Sequence, residues 1–155
     1  MSSNFVHLHV HSDYSVLDGA CKTKELLDRC EKYGMEACAL TDHGNLFGAV
    51  EFYQMAKERG IKPIIGCELY VAPESRTDTS ARYLGRNNSH HLLLCENVTG
   101  YHNLCKLSSK GYLEGFYYKP RVDDELLAKH SEGLIATTSC LAGRVPQAIL
   151  QDDMD

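Results

Sequence analysis

The 155-residue sequence has no basic excess, no C-x-x-C pair and no long apolar run. Each absence excludes a class of protein. Sixteen Lys and Arg stand against 21 Asp and Glu, a formal net charge of -5, so no dominating basic surface holds nucleic acid by counterion release. Any contact with DNA has to be local or made through a partner. The seven cysteines (Cys21, Cys30, Cys38, Cys67, Cys95, Cys105, Cys140) are odd in number and sit mostly among apolar residues. They read as free thiols in a reducing cytoplasm rather than as a disulfide framework. The start of the chain has no basic segment backed by an apolar run, and no stretch nears the roughly 18 apolar residues of a membrane span, so neither export nor membrane insertion is expected.

What is present is β-α alternation. With 43% hydrophobic residues the chain has enough material for one domain, residues 1–155, around one core. Apolar runs of strand length occur at Phe5 to Val10, Ala37 to Thr41, Ile64 to Val71, His91 to Cys95 and Leu134 to Thr138. Between them the spacing predicts a helix opening at Thr23 as N-cap, carrying Leu26, Leu27 and Cys30 and stopping at Gly34. A second helix is predicted from about Phe47 to Arg59, burying Phe47, Val50 and Tyr53 and ending at Gly60. A third is predicted from about Tyr101 to Lys110, and a fourth from an Asp123 cap to about His130.

Residues 72–89, "APESRTDTSARYLGRNNS", are polar and aperiodic and read as a surface excursion whose three arginines are solvated rather than a phosphate-binding patch. The alternation predicts a parallel sheet, open or barrel-like. Five β-α units are too few to close a TIM-like barrel, which takes about eight units and about 250 residues. A barrel here is an incomplete one.

In "FVHLHVHSD" three histidines, His7, His9 and His11, alternate with apolar residues and so share one face of a strand. A single strand histidine is usually structural. Three in register leave lone pairs that call for a cation. Ligands gather where strands end, and those ends hold His9 and His11, then Asp13 and Asp18. They also hold "TDHG" at Thr41–Gly44, Glu68 within "IIGCELYV", and Cys140 in "TTSC".

One of His90 and His91 can join them, since neighbours on a strand face opposite ways, although both open their strand and a parallel rule puts them at the wrong end. His7 falls short of the rim, as a supporting or core residue. His102 and His130 read as surface residues. The donor set exceeds the roughly four ligands of one zinc and fits two or three divalent ions, zinc foremost, with manganese or iron compatible. Such a clamp suits displacement at phosphorus, and so phosphate-ester hydrolysis.

The phrases "FVHLHVHSDYSVLDGA", "ALTDHGNLFGAVEFY", "IKPIIGCELYV", "HHLLLCENVTGYHNLCKLSS", "GFYYKPRVDDELL" and "HSEGLIATTSCLAG" resemble the polymerase and histidinol phosphatase (PHP) domain family over nearly the whole chain. They resemble most the group found at the N-terminus of bacterial replicative DNA polymerases. The resemblance implies an α/β fold, a distorted (β/α)7 TIM-like barrel with a multinuclear metal site. Carried over by motif, the implied ligands are His9, His11, Asp18, His43, Glu68, His91 and Cys140. Asp18, His43 and Glu68 are the implied catalytic set, and His7 and Asp42 the candidates for supporting positions.

A further D-x-H motif of the family, in a later strand, is not in this sequence. The resemblance also implies DNA and other polymerase subunits as partners, and a possible 3′–5′ exonuclease, with primer extension belonging to parts these residues do not include. A metal-stabilised structural module and a free-standing PHP phosphatase are the alternatives.

Overall fold

The computed structural model describes residues 5–80 and 88–153. In chain order the elements are α1 (Thr23–Lys32), β1 (Ala37–Leu40), α2 (Ala49–Glu58), β2 (Lys62–Val71), β3 (Ser89–Cys95), α3 (Val98–Leu113), β4 (Arg121–Val122), α4 (Asp124–Lys129), β5 (Leu134–Thr137) and α5 (Arg144–Leu150). The sheet runs β1-β2-β3-β5, with β4 pairing to the end of β2. Its five strands form a mixed α/β architecture that leaves the barrel incomplete.

The sheet is not all parallel, as the alternation predicted. β1 and β4 lie parallel to β2, whereas β3 runs antiparallel to both β2 and β5. Apolar periodicity marks a strand but carries no information on its direction. The reversal has a large effect on the rim. Tyr70 at the end of β2 faces His90 at the start of β3, so the start of β3 lies beside the carboxyl end of β2.

The segment Phe5 to Val10 is extended but forms no regular ladder. His7 bridges to Cys38, and the His7 and Val10 carbonyls accept from the amides of Ala39 and Thr41 at 2.8 and 2.9 Å. The Thr41 hydroxyl takes the place of a backbone partner, accepting from the Val10 amide at 2.8 Å and donating to its carbonyl at 3.0 Å.

Two apolar clusters hold the layers. Leu27, Cys30, Cys38, Leu40, Phe52, Ala56 and Ile61 join α1 and α2 to β1. Cys67, Leu69, Val71, Leu93, Leu104, Leu107, Val122 and Leu126 join β2, β3 and β4 to α3 and α4. Because β2 alternates, the face opposite that second cluster carries Glu68 and Tyr70.

Helix α2 buries a different face from the one predicted. Ala49, Phe52 and Ala56 point inward, while Phe47, Val50 and Tyr53 are exposed. Two alanines disguised the buried stripe as polar spacing. Thr23 is the first helical residue rather than the cap, which is Lys22. Asp123 does cap α4, accepting from the Leu126 amide at 3.1 Å, and the Asn97 side chain caps α3, accepting from Gly100 at 3.0 Å.

Of the excursion at 72–89, residues 81–87, with Arg82 and Arg86, lie outside the described residues. Arg76 is not a solvated loop residue. Its guanidinium pairs with Asp123 at 3.0 Å and with Glu114 at 2.7 Å, and its amide donates to Asp123 at 2.9 Å. Arg121, only 2% exposed, donates to the carbonyls of Gly115, Arg76 and Asp78 at 3.0, 2.8 and 3.1 Å. The first turns of the excursion are thus fastened to β4 and α4. Burial alone would raise the Asp123 carboxyl, but the amides of Arg76 and Leu126 and the Arg76 guanidinium outweigh it and hold the group below the usual carboxylate range.

Candidate metal centre

The site forms where the extended N-terminal segment, the turns after β1 and β5, the interior face of β2 and the start of β3 meet. His9 Nε2 and His11 Nε2 each lie 2.9 Å from the same oxygen, Oε2 of Glu68, and 3.2 Å from one another. His43 Nδ1 is 2.9 Å from Asp18 and 4.0 Å from Glu68. On the other side of the carboxylate, His90 Nδ1 lies 3.4 Å from Glu68 Oε1 and 3.2 Å from Cys140 Sγ. The donors fall into three overlapping groups: His9, His11 and Glu68; His11, Asp18 and His43; and His43, Glu68 and His90. Glu68 and His43 join the groups together.

His90 therefore replaces His91 in the cluster. His90 pairs with Tyr70, on the Glu68 face, whereas His91 pairs with Leu69, on the face of α3 and α4. His91 lines a cleft with Asp124, Leu127 and Arg144 instead. The antiparallel course of β3 also resolves the problem of the wrong end, since it brings the first residues of that strand to the rim.

His7 is exposed, edge-on to the ring of Phe5 at 4.8 Å, and Asp13 is exposed; neither is in a donor group among the described residues. His102 is exposed as expected, but His130 is half-buried with Nε2 unpartnered.

Around the donors stand Asp42, a supporting candidate in the sequence, and Ser12, Ser15, Ser139 and Tyr70, which the sequence did not single out. Asp42 is buried and accepts from the Ser12 amide at 2.6 Å and from the hydroxyls of Ser12 and Ser15. Ser15 in turn accepts from the His43 amide at 2.7 Å and lies 3.4 Å from His11 Nδ1. Asp42 thus fixes the turn that carries two histidines without touching them.

Ser139, with φ of 63°, donates its hydroxyl to Glu68 Oε1. Tyr70 stacks on His43 with centroids 4.0 Å apart and 11° between planes. Gly44, at φ +71°, makes that stacking possible, because a Cβ there would lie 3.0 Å from Pro120 and 3.1 Å from Tyr70.

The electrostatics follow the geometry. Burial would raise the Glu68 carboxyl, but hydrogen bonds from His11, His90, Ser139 and His9 hold it far below the carboxylate range. The Glu68 contact raises His11, whereas burial lowers His43 and keeps it neutral. Burial, with Asp18 and Glu68 nearby, pushes the Tyr70 phenol up to about 12.

These residues fit divalent metal. His9 Nε2 and His11 Nε2, 3.2 Å apart, avoid repulsion only as one donor and one acceptor, and with the same Glu68 oxygen 2.9 Å from both they form a donor set that suits a cation. The buried Nε2 of His43 has no hydrogen-bond partner among the described residues. An imidazole nitrogen left so is costly unless something binds it.

A model of the PHP domain family matches residues 7–155. The chain belongs to the PHP domain family. This PHP domain is 60% identical over 148 residues to the DNA polymerase III subunit alpha of Treponema pallidum, a match covering 96% of this chain and 13% of that protein. It is 54% identical over 151 residues to the same subunit of Chlamydia trachomatis, covering 97% of this chain and 12% of that protein. The PHP chain thus spans about one eighth of the length of these relatives.

Among solved structures, a candidate metal-dependent phosphoesterase from Bifidobacterium adolescentis shares the fold. Its TM-score is 0.50 at 18% identity, over 70% of this chain and 33% of that one. No described helix is long and apolar enough to cross a membrane.

Proposed function

We propose that this chain is the PHP segment of a bacterial replicative DNA polymerase III alpha subunit, and that its rim site is a metal-dependent phosphoesterase acting on the 3′ end of DNA. The supporting observation is the convergence of His9, His11, His43, His90 and Asp18 around one buried carboxylate, Glu68. The ligand set is His9, His11, Asp18, His43, Glu68 and His90, with Cys140 beside His90; two or three ions, zinc foremost, suit this mixture. Bound metal would supply a lowered water pKa and a counter-charge for the phosphate oxygens.

The chain's own residues do the rest. Glu68 stays ionised and bridges the donor groups, while His43, kept neutral by burial, offers a lone pair. Ser139 and Ser15 hold Glu68 and His43 in place. The partners are DNA and the other subunits of the polymerase assembly, and primer extension belongs to the rest of the longer relatives.

In the full-length protein, Asp18→Ala, His43→Ala and Glu68→Ala are each expected to lower metal-dependent removal of a mismatched 3′ nucleotide by at least about a hundredfold. The check is gel-resolved excision in the absence of deoxynucleotides. Undiminished excision would refute the catalytic reading. Lost metal and a lowered melting temperature, in a parent that shows no excision, would leave a structural centre.

A further inference from the structure

A row of exposed rings stands beside the metal centre and is not accounted for by the core. Phe47, 68% exposed, lies four residues after His43; its ring centroid is 6.3 Å from that of Tyr112, which stacks at 6.2 Å and 22° on Phe116, itself 57% exposed. Two residues after Phe116 in the chain, Tyr118 is 76% exposed. Its backbone is left-handed, with φ of 60°, and the Tyr117 amide donates to the Lys119 carbonyl across it at 3.1 Å. A tyrosine is strained in that conformation, and burial does not explain why it is not glycine. The turn holds a largely exposed ring that meets Tyr117 edge-on, with centroids 4.7 Å apart.

The row is continuous with the site. Pro120 packs against Gly44, next to His43, and Lys119 holds its ammonium 5.2 Å over the ring of Tyr70, the residue stacked on His43. Flat rings repeated a few ångströms apart, one cation and a phosphoesterase centre at one end are the parts of a single-strand platform, in which bases stack on aromatic faces and the backbone tracks toward charge. A groove for an apolar helix would instead offer aliphatic walls and depth.

We infer that Phe47, Tyr112, Phe116 and Tyr118 form a stacking platform for the unpaired bases of a single strand whose 3′ end enters the metal centre. The inference deepens the reading given above and rests on it for the direction of the strand.

The test is photo-crosslinking in the full-length protein. The probe is a short single strand carrying 5-iodouracil near a 3′ phosphorothioate that resists excision, with adducts located by mass spectrometry. Adducts are expected on the four rings, and Phe116→Leu and Tyr118→Gly are each expected to reduce them at least about fivefold. Tyr118→Gly is expected to keep or raise the melting temperature, because it relieves the left-handed strain.

Adducts elsewhere, no adducts, or rings shielded from solvent labelling by another protein segment would each overturn the platform. So would a melting temperature that falls in step with adduct loss. Adducts on the rings in a protein without any excision would sink the phosphoesterase reading and leave the platform standing.

Discussion

Glu68 and Arg121 are both buried, and the polar cluster around each is assembled from distant parts of the chain. They differ in how their groups are matched. Around Arg121, the hydrogen bonds among the described residues pair donors with acceptors: the guanidinium donates to three carbonyls, and neighbouring Arg76 meets two carboxylates. Around Glu68, ring nitrogens crowd one carboxylate and each other, and a buried nitrogen of His43 is left over. A self-matched cluster is a fastening; one with surplus lone pairs is built for something that is not protein.

The two respond differently to substitution and to metal. The largest effect is expected from Arg121→Met, which removes the guanidinium donor from the Gly115 carbonyl and from the part-buried carbonyls of Arg76 and Asp78 and costs about 3 kcal/mol in urea unfolding whether or not metal is present. Next, zinc at about a hundred times its dissociation constant is expected to stabilise the native chain by about 2.7 kcal/mol. Calorimetry with and without chelator should find that gain retained in Arg121→Met and absent in Glu68→Ala. Equal gains in both would erase the distinction between the clusters.

A smaller effect concerns acid. Asp123 has its folded pKa held below the unfolded value, so its contribution is present above about pH 4 and is lost as pH falls through the folded pKa. Asp123→Asn, which keeps a capping side chain, is expected to cost about 1 kcal/mol at pH 7 and to flatten the acid limb of stability below pH 4. An unchanged acid limb would remove Asp123 from the fastening. Smallest of all, His91→Ala is expected to change metal-dependent stabilisation by less than about 0.5 kcal/mol, while His90→Ala removes much of it. The reverse order, read by metal titration, would restore His91 as the ligand.

Much of the site was legible because its signals are local. The H-x-H spacing, the acid amid apolar residues in "IIGCELYV" and the "TDHG" turn after an apolar run are each visible as short sequence patterns. What depended on strand direction was not legible: nothing in "HHLLLC" tells that β3 runs backwards, so the choice between His90 and His91 could not come from spacing. Nor did the pattern find the inward face of α2, where Ala49 and Ala56 flank Phe52 and small residues mask a buried stripe. Arg121 was missed because a buried cation looks like a surface one until its carbonyl partners, six to 45 residues away, are known. Ser12, Ser15 and Ser139 were missed for the same reason.

Gly44 acts as a spacer of zero thickness. With no Cβ, it lets Pro120 and the Tyr70 ring close to contact distance beside His43, so one flat side of that imidazole is sealed by a ring rather than by water. Any larger residue would act as a wedge, prising ring from ring and hydrating the histidine from behind. The tolerance of the centre is therefore set by a residue that contributes no atom to it.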